Sequence, residues 1–151
     1  MKLNSQDLKN IAVLTLQHYN EHADDFLRGT RDHDVSQNIA ALLQYIDGKP
    51  PDNRFDGVFA NAALFHVPRQ ELPRVLLELH AALKPRGALF SSNPNGHNEE
   101  GWAGGRYGAY YDLETWHRFM LAAGFLELTH YYRPAGLPRE QQPWLASVWR
   151  R

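Results

Sequence analysis

Apolar residues recur at helical spacing in the first stretch of the chain, SQDLKNIAVLTLQHYNEHADDFLRG, where Leu8, Ile11, Ala12, Thr15, Leu16 and Tyr19 share one face. Ser5 stands where an N-cap belongs. The pattern returns in DVSQNIAALLQYIDG through Val35, Ile39, Leu42, Leu43 and Ile46, with Gly48 placed to stop the helix. KPPDN then breaks it, because proline cannot continue a helix. RFDGVFANAALF has the continuous apolar character of a buried strand running into a loop. The segment 69–84 is again amphipathic, with Leu72, Val75, Leu76, Leu79 and Leu83 on one side. ALFSS reads as a short strand, 93–111 as a long glycine-rich loop, and DLETWHRFMLAAG as a helix capped by Asp112 and ended by Gly124. FLELTHYYR and PWLASVWRR read as two last strands separated by PAGLPREQQ.

Strands alternating with helices predict an α/β sheet with parallel crossovers. The two final strands, joined without a helix, predict an antiparallel edge. No repeat and no domain boundary interrupts the chain, which predicts a single domain over 1–151. Within it, 1–48 supply N-terminal helices and 52–151 the sheet half.

Composition narrows the function classes. The 151 residues carry 16 basic and 17 acidic side chains, a balance that gives no electrostatic footprint for nucleic acid or an anionic membrane. Without cysteine there is no disulfide scaffold, no thiolate zinc site and no cysteine nucleophile. MKLNSQDLKN lacks the apolar core of a signal peptide, and no apolar run is long enough to span a bilayer. The expectation is a soluble cytoplasmic protein.

The block FDGVFANAALFHVPRQELPRVLLELHAALKPRGALFSSNP resembles the fourth strand, following helix and fifth strand of the class I S-adenosylmethionine-dependent methyltransferases, in their small-molecule branch. Asp56 at the strand start, His66 in the pocket loop and LKPRG at 83–87 carry the likeness. YYDLETWHRFMLAAGF resembles the family's next helix, and YNEHADDFLRGTRDHDVSQNIAALLQYI its two leading helices. The resemblance implies part of a Rossmann-like sheet, about four strands equivalent to 4-5-7-6 in the family order 3-2-1-4-5-7-6, with helices on both faces.

One departure matters. The family's first strand ends in a glycine-rich DLGCGxG turn, where backbone approaches the cofactor closely because glycine has no Cβ. An acid at the end of the second strand holds the ribose. Neither occurs here. The chain passes from YIDGKPP directly to DNRFDGVF, a seam near Pro50–Asp52, so strands one to three are missing from the pattern.

The candidate residues follow. His66, at the carboxyl edge of a parallel strand, faces the crevice where such folds bind ligands, and suits a general base toward a methyl acceptor. A surface or capping histidine before Pro68 is the competing reading. Tyr19, Arg31 and His33, from helices that close over the cofactor in the resembled family, and Asn61 and Ala62, in the strand-four loop, are the cofactor-side candidates. Arg31 and His33 equally suit a polar cluster in which Asp34 or Ser36 caps the next helix. Trp102, Tyr107, Tyr110 and Tyr111 either line an acceptor pocket or pack on the sheet. The loop 95–108 matches neither Gly-x-Gly-x-x-Gly nor a P-loop. Of eight histidines, His18 and His22 share a helix face without an HExxH motif, and the others are scattered, so no metal site is expected.

The resemblance gives S-adenosylmethionine as the parent family's cofactor. The lost glycine turn predicts that this chain binds none tightly and is inactive. The uncovered strand, apolar on both faces, predicts a homodimer paired near Asp56–Asn61, with exchange of the N-terminal helices as a further option. The alternative is an active small-molecule methyltransferase whose cofactor site is rearranged or shared between subunits.

Overall fold

The computed structural model describes residues 2–31, 34–45 and 55–151. The seam near Pro50–Asp52, the Gly48 helix stop, Ile46 and His33 lie outside the described residues. Among the described residues five α-helices and six strands follow in the order α1 Ser5–Glu21, α2 Ala23–Thr30, α3 Ser36–Leu43, β1 Phe55–Asn61, α4 Leu72–Ala82, β2 Leu83–Pro94, β3 Glu99–Ala103, β4 Arg106–Tyr110, α5 Leu113–Ala122, β5 Leu126–Arg133 and β6 Trp144–Arg150. Among the described residues no helix is long and apolar enough to cross a membrane.

The main sheet has the order β1-β2-β6-β5. β1 and β2 are parallel, and β6 runs antiparallel to both β2 and β5. This is the partial α/β sheet expected from the sequence, in the order 4-5-7-6 that the resemblance implies. The antiparallel strand β6 is interior, and β5 is the edge. Burial explains the placement, since Leu145 through Trp149 are all buried whereas no residue of β5 is.

Alternation along β2 sends side chains to two cores. On one face α4 and α5 bring Leu72, Leu76, Trp116 and Met120 onto Leu89, Leu145 and Trp149. On the other, α3 brings Ala41 and Leu42 onto Ala88, Phe90, Ala146 and Val148. The first core also holds a buried polar knot. Ser147 Oγ accepts from Trp116 Nε1 at 3.2 Å and Trp149 Nε1 at 2.7 Å, and lies 3.0 Å from Ser91 Oγ.

Several boundaries differ from expectation for local reasons. The first helix is capped by Asn4 rather than Ser5, because Asn4 and Asp7 form a reciprocal capping box, and it breaks at His22 into α1 and α2. Val35, not Asp34 or Ser36, is the cap residue of α3, although Asp34 Oδ1 accepts from Ser36 N at 2.8 Å. α4 stops at Ala82 because Lys84 precedes Pro85 and is biased away from helical backbone, so Leu83 already begins β2. The segment 93–111 is not an open loop. It folds into the β3–β4 hairpin around Gly104 and Gly105, both at positive φ, which a two-residue hairpin turn requires. Asp112 does cap α5, through Thr115 N at 2.8 Å, and Gly124 sits at φ 91° where the helix ends.

Candidate functional site

The carboxyl end of β1 is shaped by a tight reversal. Ala62 adopts φ 53° and donates its N–H to Ser92 O at 2.8 Å, and a 3₁₀ turn over Leu64–His66 follows. That turn presents His66, half-buried, toward the β3–β4 hairpin and α1. The hairpin is held to α1 by Tyr107 N, which donates to Thr15 Oγ1 at 3.2 Å. One helical turn along α1, Tyr19 therefore reaches His66 across 47 residues of sequence.

The resulting contacts define a protonation state. His66 Nδ1 is 2.6 Å from the carbonyl oxygen of Tyr107, which can only accept, so Nδ1 carries the proton. In the neutral ring Nε2 is then an acceptor, and the Tyr19 hydroxyl donates a hydrogen bond to it at 2.8 Å. Arg106 Nη1 donates to the Tyr19 oxygen at 3.2 Å and its guanidinium lies over the Tyr19 and Phe26 rings. Burial holds the His66 pKa below the ordinary histidine value; the Tyr107 carbonyl opposes this and the Arg106 charge adds to it. The arrangement is a neutral imidazole facing a phenol beside a cation, a set of groups able to move a proton. An open groove of about 620 Å³ between α1 and the start of α4 reaches both Tyr19 and His66; Ile11, Ala12, Leu16 and Val75 line it.

The other candidates divide. Tyr107 joins the cluster through its carbonyl, while its ring is buried and its hydroxyl pushed up to about 12 by burial and then by Glu100. Trp102 is 49% exposed and stands edge-on to Tyr107 at 5.7 Å. The Tyr110 ring lies against Gly108 and 6.0 Å from Phe65. Tyr111 is packed between Trp116 and Phe119. Asn61 is drawn the other way, toward α3, where its Oδ1 accepts from Asn38 Nδ2 at 2.9 Å and Asn38 in turn accepts from Tyr131. Arg31 ends α2 at the surface and is not among the groups that meet His66. Two residues of the network were not anticipated. Arg106 gives no motif. Asn38, fully buried, does carry a signal, because it interrupts the apolar face of α3.

These contacts bear on whether the described residues fit a nucleoside cofactor. The Tyr19 hydroxyl, Asn61 Oδ1 and the Ala62 amide are engaged with His66, Asn38 and Ser92. Asp56, the acid of β1, sits at the opposite end of the strand and is paired with Lys84.

Residues 31–91 match the sequence profile of a family described as a methyltransferase domain. No curated protein matches the chain. Among solved structures, the Burkholderia thailandensis 1,6-didemethyltoxoflavin-N1-methyltransferase, with bound 1,6-didemethyltoxoflavin and S-adenosylhomocysteine, is similar with TM-score 0.56 and 21% identity over 68% of this chain and 46% of that one. An S-adenosylmethionine-dependent methyltransferase from Mesorhizobium loti is similar with TM-score 0.53 and 17% identity over 71% of this chain and 66% of that one. One from Clostridium acetobutylicum gives TM-score 0.53 and 9% identity over 89% and 71%. Residues 31–91 are thus similar in sequence to a methyltransferase domain, and the described sheet and helices share the fold of part of solved S-adenosylmethionine-dependent methyltransferases. It spans 46% and 66% of the first two structures' length.

Proposed function

We propose that this chain is a shortened methyltransferase-family domain that has lost the cofactor turn, is catalytically inactive and assembles as a homodimer through β1. The observation that carries the reading is the position of β1. It is the outermost strand of the described sheet, where the resembled order would put strand one beside it. Among the described residues no strand pairs with its other side; Phe55 is 63% and Phe59 41% exposed, and no proline or lysine interrupts Phe55–Asn61. An open apolar edge of this kind is a template for another chain. Two copies about a twofold axis would pair β1 with β1, antiparallel, into one eight-stranded sheet, a closed isologous contact. Exchange of the N-terminal helices would extend it. The internal use of Tyr19, Asn61 and Ala62 supports the loss of cofactor binding, and the near-zero net charge supports a protein with no nucleic-acid or anionic-membrane partner, which this reading places in the cytoplasm.

A second reading, an active small-molecule methyltransferase with a rearranged or intersubunit cofactor site, is favoured by the Tyr19–His66 pair beside the 620 Å³ groove. In that reading His66 acts as general base through Tyr19, and Trp102, Tyr107 and Tyr110 border the acceptor. Calorimetric titration with S-adenosylmethionine and S-adenosylhomocysteine separates the two. The first expects nothing tighter than about millimolar, roughly −4 kcal/mol; binding at about micromolar sinks it. Light scattering after gel filtration tests the assembly on the wild type and on Val58→Pro, which removes a ladder donor from β1. A monomeric wild type at micromolar concentration refutes the edge contact. Cofactor binding that disappears with Val58→Pro assigns the site to the dimer.

A further inference from the structure

At the sheet edge opposite β1, three side chains from two elements converge. His117 comes from α5, and Glu127 and His130 come from the edge strand β5. Their potential ligand atoms all lie within 4.8 Å of one another. Glu127 Oε1 is the centre, 2.8 Å from His117 Nε2 and 2.7 Å from His130 Nδ1.

Strand geometry alone would not bring the two β5 residues together. Positions i and i+3 of a regular strand face opposite sides of the sheet. Here the register slips between Glu127 and Thr129, so that Glu127 pairs with Trp149, Thr129 with Val148 and His130 with Ser147. The slip is a bulge, and it returns His130 to the face that Glu127 already occupies. Leu128 and Tyr131, also three apart, are turned together to the other face, where both pack on the α3 core. A bulge that re-aims one side chain onto another is a common device beside functional sites.

α5 completes the cluster from above. The His117 ring is set edge-on to the buried Trp149 at 5.0 Å. Its Nε2 is buried and, although 2.8 Å from the Glu127 oxygen, makes no aligned hydrogen bond to it. Glu127 Oε1 is hydrogen-bonded to His130 Nδ1 at 2.7 Å, so His117 Nε2 is left beside the same carboxylate without an aligned partner, a place that a cation shared by the three side chains would fill.

We propose that His117, Glu127 and His130 bind a divalent cation of the zinc type. Two neutral imidazoles and one carboxylate suit zinc in charge and softness. Tetrahedral zinc, with bonds of about 2.0–2.1 Å, spaces its ligands about 3.3 Å apart. The two separations from Glu127, 2.8 and 2.7 Å, lengthen on metal binding, and the two imidazole nitrogens start within 4.8 Å of each other. Three protein ligands leave the fourth position to water. The site joins α5 to the edge strand and is independent of the cofactor crevice, so it stands whether or not the domain binds S-adenosylmethionine.

The test uses zinc itself on the full chain, against a chromophoric chelator. The stacked His18–His22 pair on α1, ring centroids 4.4 Å apart, is the main competing imidazole pair, so the variants are built on His18→Gln/His22→Gln. That background should retain one zinc per chain with a dissociation constant of about micromolar order, and cobalt should give visible ligand-field bands. His130→Ala and Glu127→Gln should each weaken zinc at least tenfold and abolish the cobalt bands. Imidazole ¹⁵N shifts of the wild type with zinc identify the ligating rings without any variant, should a substitution impair folding. Zinc that perturbs only His18 and His22, zinc affinity unchanged in both variants, or no binding below about 100 μM in the wild type overturns the proposal.

Discussion

Leu76→Ala is the sharpest test of the packing described here. Leu76 lies in the middle of α4, is wholly inaccessible, and belongs to the same buried cluster as Leu72, Leu83, Leu89, Met120 and Phe125, none of them more than 1% exposed. Truncation removes three carbons, worth about 2–3 kcal/mol in transfer free energy. A cavity term adds to this when the walls cannot collapse. The walls here are the sheet and α5, so relaxation is limited and the cost should fall at about 3–5 kcal/mol, within the range of other buried leucines. For a chain of this length that lowers the midpoint of thermal unfolding by roughly 6–20 °C. Leu77, the next residue, is 55% exposed and serves as the internal control. Leu77→Ala should cost less than about 1 kcal/mol. Urea unfolding followed by tryptophan fluorescence, at fixed protein concentration, measures both, and the slope with denaturant should not change. A cost at position 76 no greater than at 77 would mean that α4 is rotated on the sheet and that the order of the core is wrong.

Two further predictions concern protons and caps. Burial holds folded His66 below the ordinary histidine value of 6.5, so in the window between those two values the unfolded chain binds a proton that the folded chain refuses. Stability should therefore decline as pH falls from about 7 through that window. His66→Gln should flatten the decline measured by urea unfolding at a series of pH values; an identical slope would remove His66 from the balance. Asp112 has a depressed pKa because the Thr115 amide and then Asn98 donate to its carboxylate. Its contribution is present above the ordinary carboxylate value of 3.8 and is lost as pH falls through the lower folded value. Asp112→Ala should cost about 1 kcal/mol at pH 7, and the gap from wild type should close in strong acid. A gap that persists there would assign the cost to something other than the charged cap.

The elements that the sequence made legible are those decided by neighbours along the chain. The apolar stripe Leu72, Val75, Leu76, Leu79 is set by the helical period, and Asp112 and Gly124 bound α5 because a cap and a left-handed stop act within one turn. The resemblance to methyltransferases was readable in the same way, in continuous blocks such as FDGVFANAALFHV. The hairpin at 99–110 was also present in the sequence, as Gly-Gly between Trp102 and Tyr107, and was obscured only by the surrounding glycines. What tertiary structure alone decided lies between residues far apart in sequence. β6 takes the interior of the sheet because both its faces find cover there, as the order 4-5-7-6 implied, but which residues of β2 and β5 it meets is fixed only by the register. His66 acquires its proton arrangement from Tyr19, 47 residues earlier, and Tyr107, 41 residues later. His117, Glu127 and His130 meet because a one-residue slip in strand register turns His130 onto the Glu127 face. Periodicity and capping are short-range, so one sequence carries them openly; register and docking depend on which surfaces meet once the sheet has formed, and only the folded chain contains that information.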